Sequence, residues 1–249
     1  MTNRTTKTPS AQPPRISNGP ADPATQINAN ADLGRGSINP GILMAASTGT
    51  MIGSVVLGNL LAGQGGYVSP FTPSGDVSAM LTANATSLAL SSQLQLASAL
   101  LLGVFTALLA AGLRRRTGDG PGAAVLLFGG SYASIVFALS AMLSWLTSRP
   151  EIAADGPSAQ TLSYLAFMTG GPGHVVGLGI LIGGTVIAAR WTASMPGWLL
   201  IVGTVLGVVA ILSYLSLNWA PMTVLIPIGR FGGLLWLVVA GFMLGRDRR

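Results

Sequence analysis

The chain contains no cysteine. That removes disulfides, thiolate metal sites, iron–sulfur ligation, thiol nucleophiles and the acylated cysteine of a lipoprotein together. Charge is also scarce. Only 8% of the 249 residues are Asp, Glu, Lys or Arg, against roughly 25% in a soluble domain, too few to cover a water-facing surface. Histidine occurs once, as His174, which excludes a bis-histidine haem within one chain and leaves zinc short of ligands. Asp76, Glu151 and Asp155 are too few and too far apart for a metal cluster. No glycine-rich loop runs into Lys and Ser or Thr, and no dinucleotide fingerprint stands in a strand–helix context. No basic cluster interleaved with aromatics sits in a polar domain, so no nucleic acid is expected as a partner. With no acid, base and nucleophile in one constellation, no catalytic residues, no cofactor and no metal are expected, and an enzyme is the least favoured class.

What the chain does have is apolar residue: 50% of it is hydrophobic and the mean hydropathy is +0.61. Six apolar runs, at about 42–62, 87–113, 122–146, 164–189, 197–217 and 222–244, each meet the roughly 20 residues a bilayer-spanning helix needs. The only ionisable side chains inside them are His174 and Arg230. The expected fold is all-α, a polytopic bundle of six transmembrane helices over residues 42–249. Residues 1–41 differ in composition, with Pro9, Pro13, Pro14, Pro20, Pro23 and Pro40 among Thr, Asn, Ser and Ala. Such a segment buries too little to offset its ordering entropy and is expected to be a disordered tail. It is too long and polar for the front of a signal peptide, so the first run is expected to be retained as a helix. Segments 63–86 and 147–163 are expected as loops.

The placement of Lys and Arg sets the expected orientation. Six crossings bring both termini to one side, which then holds Arg4, Lys7, Arg15, Arg35, Arg114, Arg115, Arg116, Arg190, Arg246, Arg248 and Arg249. The other side holds Arg149 and Arg230. Eleven against two predicts cytoplasmic termini and a multi-pass protein of the cytoplasmic membrane. Trp145, Tyr164, Tyr214 and Trp219 fall at one interface and Trp191 and Trp198 at the other, as aromatic belts do. Trp236 and Tyr132 fall deeper and need a packing role or a hydrogen-bond partner.

Glycine numbers 34, well above the usual 7% or so, and small residues let membrane helices approach closely. Ala45, Gly49 and Gly53 recur every four residues on the first run. Gly173 and Gly177, Gly179 and Gly183, Gly203 and Gly207, and Gly229 and Gly233 are further pairs. Packing within the chain is the main expectation; the sharper one is that the first-run stripe joins copies of the chain.

Three features offer a ligand or ion path. Pro172, between Gly170–Gly171 and Gly173–His174, should break the fourth helix and expose carbonyls beside the imidazole. Interrupted helices build substrate sites in transporters, although a neutral histidine satisfying freed carbonyls is the blander reading. Asn84, Ser91 and Gln95 share one face of the second helix, with Ser87 and Ser98 nearby. That face could line a cavity or make interhelical hydrogen bonds. Arg230, after Pro227, is expected either to snorkel to the headgroups or to bind an anionic substrate.

The hinge from Arg190–Trp191 to Met195–Pro196–Gly197–Trp198–Leu199, the stretch from Gly233 to Phe242 containing Trp236, and Gly41–Ile42–Leu43 carry a resemblance. Over about a third of its length the chain resembles a family of six-helix bacterial integral membrane proteins defined only as a domain of unknown function. The resemblance implies that architecture and no activity. With the lipid bilayer as its solvent, the chain is expected first as an accessory or scaffold subunit packing with other membrane proteins or with itself. The second expectation is a small transporter or channel using Pro172–His174 and the polar face of the second helix.

Overall fold

The structure is a computed structural model that describes residues 39–62, 71, 73–118 and 120–246, all within one unit, Ile38–Arg249. Every regular element among them is helical. Six helical spans are long and apolar enough to cross a membrane: Pro40–Leu61, Ala85–Arg116, Pro121–Leu146, Gly156–Trp191, Gly197–Leu217 and Ala220–Gly245, here spans 1 to 6. In hydrocarbon each backbone polar group must be bonded within the protein, which a helix achieves alone. The chain is a multi-pass integral membrane protein with an all-α fold.

Span 1 begins at Pro40, inside the segment assigned to the disordered tail. Asn39 accepts a hydrogen bond from the Gly41 amide at 2.9 Å, and proline occupies the first turn, where its missing N–H costs nothing. The rest of the expected tail, residues 1–38, lies outside the described residues. The two expected loops also need correction. Ser74–Ala83 is a helix that meets span 2 at a joint on Asn84. After a single turn at Pro150–Ala153, span 4 already starts at Gly156. These pieces are too short or too polar to register in a search for membrane-length runs. They are held by each other: Val77, Met80 and Leu81 bury against Ala153 and Ala159, and Ser78 Oγ donates to the Ala153 carbonyl at 2.5 Å.

Sequential spans pack as neighbours, and span 6 closes onto span 1 as well as spans 4 and 5. Phe105, Leu126, Leu178, Leu181 and Leu237 fill the centre. Leu100, Phe128, Ile135, Ile201 and Leu235 are exposed, as lipid-facing residues are. Span 1 begins where span 6 ends, with Gly41 against Phe242; this is termed the proximal end and the opposite one the distal end. At the proximal end the Arg116 guanidinium donates to the Leu244 carbonyl at 3.0 Å, placing a cation on a helix C-terminus. At the distal end Arg149 lies 4.6 Å over the Trp145 ring.

Spans 3 and 4 make the closest crossing. A Cβ added to Gly122 would fall 2.7 Å from the Ala188 nitrogen, one on Gly177 2.8 Å from Ala133 Cα, and one on Gly184 2.7 Å from Leu126 Cα. Gly122 and Gly129, like Gly177 and Gly184, are seven residues apart, the repeat that keeps one seam facing its partner. A Cβ added to Gly203 would run into the Trp236 indole, and one added to Gly207 would fall 3.3 Å from the Gly179 carbonyl oxygen. Trp236 finds its partner: Nε1 donates to the Leu199 carbonyl at 2.9 Å. The first-run stripe does not follow the main expectation. A Cβ on Gly49 or Gly53 would meet nothing within 4 Å, so among the described residues the face carrying Gly49 and Gly53 is not a close-packing face. Span 1 instead docks through Ser47, whose hydroxyl donates to the Ser98 carbonyl at 2.8 Å while Ser98 Oγ donates to the Ser47 carbonyl at 2.8 Å.

Candidate functional site

Span 4 breaks where Pro172 requires it. Gly171 adopts φ −81°, ψ −107°, and Thr169–Gly173 forms a π-type turn. The His174 amide bonds to the Gly171 and Thr169 carbonyls and so does not take the Gly170 carbonyl, its ordinary α-helical acceptor. A second π-type turn, Ile228–Gly232, lies in span 6 and carries Arg230. Arg230 Nη2 donates to the Gly170 carbonyl and joins the two irregular turns. Turns of this kind recur at functional sites.

Around this joint lies a cavity of about 450 Å³ in the distal half of the bundle. Span 1 contributes Ser54, Gly58 and Asn59; span 2 contributes Ser87, Ser91 and Gln95, with Asn84 at the joint before it. Span 3 contributes Phe137, Ser140 and Ser144, span 4 Phe167, Gly170 and Gly171, and span 6 Ile226 and Arg230. At about 1.5 Å per residue, Gln95 stands roughly 15 Å inside span 2, so the chamber reaches toward the bilayer centre. Asn59, at its rim, is exposed. The lining is mixed, with hydroxyls and amides interspersed among apolar side chains that include Leu88, Phe137, Phe167 and Ile226.

Several of these polar groups are already engaged. Ser87 Oγ donates to the Gly58 carbonyl at 3.0 Å, Ser140 Oγ to Ala166 at 2.8 Å and Asn84 Nδ2 to Met80 at 2.9 Å. Two buried atoms are not: Ser91 Oγ and Arg230 Nε have no hydrogen-bond partner among the described residues. The Arg230 guanidinium also lies 6.0 Å over the Phe137 ring. Among the described residues no carboxylate lines the chamber, and no group of three or more His, Asp or Glu gathers. No family model, no curated protein and no solved structure matches this chain. The resemblance carried by Met195–Pro196–Gly197–Trp198–Leu199 is therefore without a family match, and the site rests on its own geometry.

The expected path residues thus divide. Asn84, Ser91, Gln95 and Arg230 come together in the cavity, whereas Ser98 serves interhelical packing. Arg230 turns inward to a carbonyl on span 4 instead of snorkelling to headgroups, because the break in span 4 supplies an acceptor within reach. Pro172 makes the break but is buried outside the lining. His174 is 1% exposed and is also outside the lining. Its Nδ1 lies 3.0 Å from the Ala133 carbonyl oxygen; a carbonyl only accepts, so Nδ1 carries the proton. Its ring stacks on Phe137 at 4.4 Å and 26°, backing a wall of the chamber from outside. Sequence reading did not single out Phe137, Phe167, Ser140 and Ser144. The available signal was the serine pair one helical turn apart in an apolar run.

Proposed function

We propose that this protein is a small transporter or channel-type protein of the cytoplasmic membrane that takes a polar solute into the distal cavity. The carrying observation is a chamber at membrane depth, lined in part by hydroxyls and amides and by a cation, with no carboxylate among its described lining residues. Buried polar groups in hydrocarbon are costly and are kept where a solute or ion uses them. An accessory subunit that only packs against partners has no use for such a chamber. The eleven-to-two division of Lys and Arg supports a distal end facing away from the cytoplasm. The absence of cysteine makes the test direct. Single Ser91→Cys and Gln95→Cys substitutions are expected to react with a membrane-impermeant thiol reagent added outside intact cells, while His174→Cys stays unmodified. Silence at both 91 and 95 would reject the cavity as a water-accessible path.

One observation favours a second reading, self-association. The stripe Ala45–Gly49–Gly53 faces outward with open space over its glycines, the geometry that lets a second helix approach. Gly49→Cys is expected to give a disulfide-linked dimer under mild oxidation in native membranes, and Ser47→Cys, which is buried, to give none. A monomer in both cases would leave the stripe as a lipid-facing surface.

A further inference from the structure

We propose that the cavity is an anion site whose ligand is a small organic monoanion, held by Arg230 and Ser91; this rests on the solute cavity above and names its chemistry. A guanidinium has five N–H donors. Nη2 of Arg230 is used on the Gly170 carbonyl and Nε is buried with no hydrogen-bond partner among the described residues. Among those residues the charge is unanswered, since a carbonyl offers only a partial charge and no described acidic side chain lines the chamber. A desolvated cation without a counter-charge is destabilising, and completing the pair is what an incoming anion would do.

Ser91 is the independent observation. It is 7% exposed, its Oγ is buried without a hydrogen-bond partner, and it lines the same chamber as Arg230. A hydroxyl and a guanidinium in one cavity are donors to an oxyanion. Among the described residues Arg230 is the only cation in the lining, so one negative charge is matched and a second would go unanswered in a low-dielectric surrounding. Phe137, Phe167 and Ile226 give the ligand an apolar side to rest on. The ligand is therefore an oxyanion of charge minus one carried on a compact apolar body. A water-borne carboxylate and the phosphodiester headgroup of a lipid share that chemistry.

The test uses the full chain with Ser91→Cys in proteoliposomes. The thiol is modified by the anionic sulfonatoethyl and the cationic trimethylammonioethyl methanethiosulfonates, each rate divided by that with free 2-mercaptoethanol. An anion site is expected to favour the anionic reagent about tenfold or more, as a unit charge acting across a low-dielectric chamber would. Adding Arg230→Gln should bring the two rates within about threefold, and Arg230→Lys should retain the preference. If the Gln variant does not fold, the ratio in the Arg230 protein decides alone. Equal normalised rates there would overturn the anion inference while leaving the cavity in place. No reaction with either reagent would instead defeat the solute cavity itself. Protection of the thiol by benzoate would assign the ligand to water-borne carboxylates, and protection by dihexanoylphosphatidylglycerol alone would assign it to lipid headgroups. Protection by neutral benzamide equal to that by benzoate would count against the proposal.

Discussion

Gly177→Val is expected to prevent the bundle from assembling. A Cβ at this position would lie 2.8 Å from the nitrogen, Cα and Cβ of Ala133, closer than atoms of those types approach. Two of those three atoms are backbone, so no side-chain rotation relieves the overlap. Span 4 would have to move away from span 3 along a seam that Gly122, Gly129 and Gly184 also hold at close approach. Overpacking in a well-filled core costs about 1–3 kcal/mol and more where the backbone must shift; the rigid seam puts this case above that range. Size-exclusion chromatography of a fluorescent fusion in mild detergent should show loss of the monodisperse peak. Gly49→Val is the matched control, because its Cβ enters open space, and it should elute as the unsubstituted protein does. A monodisperse Gly177→Val protein of unchanged thermal stability would show that spans 3 and 4 are not held at this distance.

His174→Ala is expected to lower stability while leaving the six crossings in place. The substitution removes a ring stacked on Phe137 and the donor to the Ala133 carbonyl. Large-to-small changes at buried aromatic sites, together with a lost hydrogen bond, cost about 2–4 kcal/mol. For a protein of this length that is a fall of about 4–16 °C in melting temperature. His174→Asn offers an amide N–H in place of Nδ1–H and should recover part of the loss. Labelling of the thiol introduced by Ser91→Cys should persist in both variants, since the imidazole is outside the lining. The opposite pattern, unchanged melting with labelling abolished, would return His174 to the solute path.

Some of this could be read from residues alone, and the physics says which parts. The six spans follow from transfer free energy, which a run of about 20 apolar residues expresses locally. The helix Ser74–Ala83 and the start of the helix Gly156–Met168 do not, because their stability comes from burying Val77, Met80 and Leu81 against Ala153 and Ala159 across more than 70 positions of sequence. The break at Pro172 was legible because the missing N–H is a property of one residue. The direction of Arg230 was not. It depends on a carbonyl freed 60 residues earlier in the chain, and without that acceptor the headgroups would be its nearest solvation. The glycines show the same limit. A search for four-residue spacing finds Gly203 and Gly207, yet also selects Gly49 and Gly53, where an added Cβ would meet nothing within 4 Å among the described residues. It passes over the seven-residue spacing of Gly122 with Gly129 on the seam itself.

Span 6 has a torsional balance that follows from its two irregular turns. Ala220–Val224 is a 3₁₀ segment of five residues and Ile228–Gly232 a π-type segment of five residues. The first is overwound, at about 120° per residue against about 100° for an α-helix, and the second is underwound. The surplus and the deficit run in opposite senses. The twist added by the first is therefore largely taken out by the second before the regular helix Gly233–Arg246 begins, and Leu225–Pro227 between them is rotated relative to a uniform α-helix. Arg230 sits in the middle of the underwound turn and is aimed by it. Substitutions that preserve length leave the balance intact. Deleting one residue between Val224 and Arg230 would swing the guanidinium by about 100°, off Gly170 and toward lipid, so this part of the chain is constrained more tightly in its length than in its composition.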